Sequence, residues 1–114
     1  MNNPLSSVYL RFLELSRALS ENGNHPLSAN EKTLLDAVAL AWHSGRPMSV
    51  RQAIALDHLG SPATLHKRLA VLRNSGYVQE IAVEGDRRTK LLGPTQKALD
   101  FFSKYGEAIR LQQI

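Results

Sequence analysis

The sequence contains no cysteine. That excludes disulfides and thiolate metal sites, and it fits a reducing compartment. No apolar run approaches the roughly 18 residues a membrane-spanning helix needs. The opening Met1-Asn2-Asn3-Pro4 lacks the basic start and apolar stretch of a secretion signal. A cytoplasmic protein without a membrane partner is therefore expected. Hallmarks of enzymatic chemistry are missing too. There is no Gly-rich phosphate loop, no nucleophile elbow and no metal-ligand spacing. His25, His43, His58 and His66 form no close-spaced pair, and the carboxylates are few and scattered. The expectation is a non-enzyme with no metal and no cofactor. Internal repeats, low-complexity stretches and linkers are also lacking, so the 114 residues are read as one domain, 1–114, with a modest core.

What the sequence has is a local excess of positive charge. The net charge is +4. Between Arg46 and Lys90 there are eight basic residues (Arg46, Arg51, Lys67, Arg68, Arg73, Arg87, Arg88, Lys90) against four acids (Asp57, Glu80, Glu84, Asp86). The flanks are balanced, so the whole excess lies in the middle. A basic field confined to one segment is what phosphate binding requires.

Periodicity assigns the elements. Leu5, Val8, Phe12, Leu15 and Leu19 share one face of a helix from Pro4 to about Glu21, widened by Tyr9 and Leu13. The turn Glu21-Asn22-Gly23-Asn24-His25-Pro26 ends it. Ser28 and Glu31 predict a capping box for a second helix, whose stripe is Leu34, Leu35, Val38, Ala41 and Trp42. Trp42 is read as a packing residue. A short third helix starts at Ser49, with Gln52 completing a second box, and carries Val50, Ala53, Ile54 and Leu56. A fourth starts at Ser61, with Pro62 at its first position and Leu65, Leu69 and Leu72 inside. Asn74-Ser75-Gly76 ends it. Tyr77 to Val83 reads as a strand, Glu84-Gly85-Asp86 as a turn, and Arg88 to Leu92 as the returning strand, broken by Gly93-Pro94. Thr95 caps a last helix with Ala98, Phe101, Phe102, Tyr105 and Ile109 on its apolar face.

The predicted architecture is mostly α with a small antiparallel β-hairpin. It is a winged helix-turn-helix (helix-turn-helix 49–74, wing 77–92) with flanking N- and C-terminal helices. The second helix of such a pair is slim enough to enter a DNA major groove. With its leucines inside, Ala63, His66, Lys67, Ala70 and Asn74 point outward, with Thr64 and Arg68 on the flanks. Small Ala63 and Ala70 permit close approach, while Ser61, Thr64, His66 and Lys67 supply hydrogen bonds. A flexible arginine at the wing tip can lie in a narrow minor groove. Asp86 is expected to orient one of those arginines by a charge-assisted bond.

Ser61-Pro-Ala-Thr64-Leu-His-Lys67-Arg-Leu69-Ala-Val-Leu72-Arg-Asn-Ser-Gly76-Tyr-Val78, then Asp86-Arg87-Arg88 and Thr95, resembles the MarR-type winged-helix repressors. That family joins a recognition helix ending in Leu-x-x-x-Gly-x-Val to an Asp-Arg-Arg wing, and a threonine nine residues past the wing aspartate opens its next helix. The likeness covers about Ser28 to Thr95. It implies DNA contacts at Ser61, Thr64, His66 and Lys67 on the helix and at Arg87 or Arg88 on the wing. Arg68 and Lys90 complete the candidate DNA-binding set. Leu69-x-x-Leu72-Arg73-x-x-Gly76-x-Val78 is also similar to the ArsR-type regulators. The family's Leu-Thr-x-x-Gly is Pro94-Thr95-Gln96-Lys97-Ala98 here, and one helix follows the wing.

The terminal helices, 4–21 and 95–111, carry apolar stripes wider than one small domain needs. Leu5, Val8, Tyr9, Phe12, Phe101, Phe102, Tyr105 and Ile109 are therefore the candidate dimer interface. The reading is a sequence-specific binder of double-stranded DNA, nucleoid-associated, that regulates transcription as a homodimer. The alternatives are a winged-helix protein–protein adaptor and a replication or plasmid-maintenance DNA-binding protein. No effector is assigned.

Overall fold

The computed structural model describes residues 4–21 and 26–112. The expected turn residues Asn22 to His25, and Met1 to Asn3, lie outside them. Seven elements follow in the described residues: α1 (Pro4–Glu21), α2 (Ala29–His43), α3 (Val50–Ile54), α4 (Pro62–Asn74), β1 (Val78–Val83), β2 (Asp86–Pro94) and α5 (Gln96–Gln112). They fall into two compact units. One is Leu27–Leu99; the other joins Met1–Pro26 to Asp100–Ile114.

Caps fix where the helices of the first unit begin. The Ser28 hydroxyl accepts the Glu31 amide at 3.2 Å, and the Glu31 carboxylate accepts the Ser28 amide at 3.0 Å. Ser49 and Gln52 repeat the arrangement at α3. Ser61 accepts the Thr64 amide, and Pro62 starts α4 where no amide partner is needed. α3 is shorter than its apolar pattern implies. It ends at Ile54, and Leu56 sits in the following turn, its amide bonded to the Ala53 carbonyl.

The core follows from the stripes. Leu34, Leu35 and Val38 of α2, Ala53 of α3, and Leu65, Leu69 and Leu72 of α4 are buried with Tyr77, Val78 and Leu92 of the hairpin region. Each such leucine removes enough apolar surface from water to be worth about 2 kcal/mol.

The hairpin is antiparallel, with Ile81 opposite Leu91 and Val78 opposite Pro94. β2 is longer than expected at both ends: it begins at Asp86 and runs through Gly93-Pro94, which do not break it. Proline is tolerated because it sits at the last position of the ladder. Gly93 is there for space. A Cβ on it would lie 2.7 Å from Ile81 Cδ1 and 3.2 Å from Trp42 Cδ1. Trp42 thus packs on the hairpin through that gap. A further β-bridge, not anticipated from the sequence, joins Ser49 to Leu91, and the Leu92 amide bonds the Met48 carbonyl at 2.7 Å. The entrance to α3 is therefore fixed to the wing.

The start of α5 is fastened to the end of α4. The Thr95 hydroxyl donates to the Gly76 carbonyl and accepts the Ala98 amide. Lys97 donates to the Ser75 carbonyl at 2.8 Å, and its ammonium lies 4.7 Å from the Tyr77 ring centre.

In the second unit, α1 leaves Leu5, Val8, Tyr9 and Phe12 exposed at 78, 65, 60 and 45%. In α5, Phe101 is buried and meets the Tyr105 ring edge-on at 5.5 Å and the Phe102 ring at 5.9 Å. Phe102, Tyr105 and Ile109 are half-buried. No helix among the described residues is long and apolar enough to cross a membrane. Helices α3 and α4 joined by a turn, then a hairpin, constitute a winged helix.

Candidate nucleic-acid interface

Helix α4 is two-faced, as its periodicity requires. Leu65, Leu69 and Leu72 are fully or almost fully buried, whereas Ser61, Ala63, His66, Lys67 and Asn74 are exposed. Thr64 and Arg68 are half-buried flanks. Ala70, on the outward side, is half-buried. At the helix start the Ser61 hydroxyl donates to Thr64 Oγ1 at 2.9 Å. The two hydroxyls form a small polar cap on the outward end of α4.

Not every cation on this helix is free. Arg68 donates from Nη1 to the Leu59 carbonyl at 3.1 Å, so it braces the turn between α3 and α4. Arg73 pairs with Glu80 at 2.7 Å, which ties α4 to β1. Lys67 has no carboxylate partner among the described residues.

The wing tip turns through Glu84-Gly85, with Gly85 at φ +82°, a conformation side chains resist. Val83 pairs with Asp86 but Ala82 pairs with Lys90, so Arg87, Arg88 and Thr89 are three extra residues bulging from β2. Asp86 closes that bulge. Its Oδ1 accepts the amides of Arg88 at 2.9 Å and Thr89 at 3.2 Å. Its pKa is held below the ordinary carboxylate range, first by the Thr89 hydroxyl and then by these two amides. The expectation that Asp86 orients an arginine side chain is therefore corrected. An aspartate reaches its own backbone two and three residues on more readily than a long mobile guanidinium. Arg87 and Arg88 are exposed and, among the described residues, have no carboxylate partner; nor does Lys90.

A cleft of about 470 Å³ lies where α3 meets the wing, lined by Ser49, Val50, Arg51, Arg88, Thr89 and Lys90. It brings two of the expected residues, Arg88 and Lys90, together. Ser61, Thr64, His66, Lys67 and Arg87 do not line it. Arg51 was missed as a site residue. Its place in the basic stretch is visible in the sequence, but its approach to the wing depends on the Ser49–Leu91 bridge. No group of three His, Asp or Glu residues among the described residues could hold a metal ion.

No protein-family model matches the sequence, and no curated protein matches it. Solved structures do match. The transcriptional regulator Tm0710 from Thermotoga maritima superposes at a TM-score of 0.65 with 18% identity, over 93% of this chain and 70% of that one. FabT from Streptococcus pneumoniae, solved in complex with DNA, superposes at 0.58 with 20% identity, over 95% of this chain and 75% of its own. The multiple antibiotic resistance repressor MarR gives 0.61 with 13% identity, over 98% and 78%. The chain has the winged-helix fold of MarR-type regulator structures.

Proposed function

We propose that this chain is a sequence-specific double-stranded DNA-binding protein that regulates transcription as a homodimer. The observation that carries the reading is the distribution of unpaired cations. Two acids of the 46–90 segment are engaged at the surface, Glu80 by Arg73 and Asp86 by the wing backbone. Lys67 on α4 and Arg87, Arg88 and Lys90 on the wing are left exposed without a counter-charge among the described residues. A protein–protein adaptor has no need for that arrangement. In this reading α4 enters the major groove; Ser61, Thr64, His66 and Lys67 reach base edges and phosphates, and Arg87 of the bulge reaches the minor groove. Arg68 acts as a positioning residue through the turn it braces. Solved MarR-type structures, one of them a DNA complex, support the reading through their shared fold.

Homodimerisation is proposed from α1 and α5. Leu5, Val8, Tyr9 and Phe12 are too exposed for a lone chain to leave in water without cost, and Phe102, Tyr105 and Ile109 are half-exposed beside the buried Phe101. Two copies reading two half-sites give the specificity one short helix lacks. The test is selection of bound duplexes from a random DNA pool. A recurring motif with two-fold symmetry is the expected outcome. A pool that stays random, or yields no bound DNA, would favour the adaptor.

A further inference from the structure

We propose that the cleft between α3 and the base of the wing seats one phosphodiester group of the duplex, with Arg51 as its central ligand. This rests on the duplex-binding reading and adds to it a residue from the first helix of the helix-turn-helix. Arg51, Arg88 and Lys90 all line the cleft and are all exposed. None has a carboxylate partner among the described residues. Three like charges sharing a cleft repel one another, and a bound anion removes that repulsion.

The walls of the cleft are held by backbone contacts. The Ser49–Leu91 bridge and the bond from the Leu92 amide to the Met48 carbonyl fix the α3 side against β2. The Ser49–Gln52 capping box fixes the backbone that carries Arg51. On the other side, Asp86 holds the Arg88 and Thr89 amides, and Lys90 stands in register with Ala82. The Ser49 hydroxyl, which accepts the Gln52 amide, keeps its own proton to donate from the lining, whereas that of Thr89 is given to Asp86. Val50 is the single apolar lining residue, and no aromatic ring takes part. A phosphate joined to a solvated sugar chain needs cations and a hydroxyl donor on an open wall, which is what this cleft offers.

The test compares wild type, Arg51→Ala, Arg51→Lys, Lys90→Ala and Lys104→Ala, which does not line the cleft, on one selected duplex across a salt series. Arg51→Ala and Lys90→Ala are expected to weaken binding about tenfold, the usual effect of losing a charged hydrogen bond. The slope of log affinity against log salt should become shallower by about one for each. Arg51→Lys keeps the slope, and Lys104→Ala changes neither quantity. Because Arg51 is exposed, circular dichroism should show the fold intact, and Lys90→Ala carries the test independently of Arg51→Ala. Wild-type binding with Arg51→Ala and Lys90→Ala indifferent overturns the cleft and leaves the duplex reading standing. No duplex binding by wild type overturns both. A parallel titration with inorganic phosphate, read by nuclear magnetic resonance, separates the two sources of phosphate. Saturable binding at Arg51 and Lys90 that leaves duplex affinity unchanged makes the cleft a free-anion site and overturns the proposal.

Discussion

Asp86 and Lys67 act at the scale of single residues. Asp86 organises the wing bulge through hydrogen bonds that only its carboxylate form accepts in full. A depressed pKa in the folded state means that this contribution is present above the ordinary carboxylate value and is lost as pH falls through the lowered one. The amides of Arg88 and Thr89 should therefore stay protected from exchange at neutral pH and lose that protection only in acid, below the ordinary carboxylate range. Asp86→Asn, whose neutral amide oxygen is a weaker acceptor than the carboxylate, should lower the protection and remove its pH dependence. Native protein whose Arg88 and Thr89 amides are no better protected at neutral pH than those of Asp86→Ala would contradict the assignment. Lys67 is exposed on the outward face of α4 and has no carboxylate partner among the described residues. If it meets a base edge, Lys67→Ala should lose about 1–3 kcal/mol of discrimination between the selected duplex and a scrambled one. An unchanged ratio of the two affinities would mean that a different face of α4 reads the DNA.

At the scale of elements, the fold was legible wherever local rules decide it. Ser28, Ser49 and Ser61 open their helices because a hydroxyl three residues before an amide is a local arrangement, visible in any sequence. The leucine stripe of α4 was legible for the same reason. The rest depends on contacts distant in sequence. Gly93 and Pro94 read as a strand breaker until Trp42, fifty-one positions earlier in the numbering, is seen to need the gap. The Ser49–Leu91 bridge has no local signal, and with it went the meeting of Arg51 with Arg88 and Lys90 around one cleft. Asp86 was read as a partner for an arginine because sequence shows charges but not which backbone amides curl beneath them. Gly93→Ala tests the packing account. The new methyl forces Ile81 or Trp42 aside, and thermal or urea unfolding should show a loss of about 1–3 kcal/mol. A variant as stable as the parent would mean the indole moves freely. Ser61→Ala should cost about 1 kcal/mol by the same measurement.

At the scale of the whole molecule, the two proposals concern different surfaces and can fail separately. The apolar face of α1 predicts self-association. Sedimentation equilibrium at micromolar concentration should give a dimer, and Val8→Asp or Phe12→Asp should give a monomer with its helicity retained, since both side chains are exposed in the single chain. A wild-type monomer under those conditions would remove the dimer while leaving duplex binding open. The claim that ties residues, elements and molecule together is recognition of duplex DNA by α4 and the wing. It is tested most directly by equilibrium titration of the native protein with a selected duplex and its scrambled counterpart at several salt concentrations. The expected result is tighter binding to the selected duplex, with affinity for both falling linearly on logarithmic axes as salt rises. No binding to either duplex at the lowest salt, or equal affinity for both at every salt concentration, would contradict it.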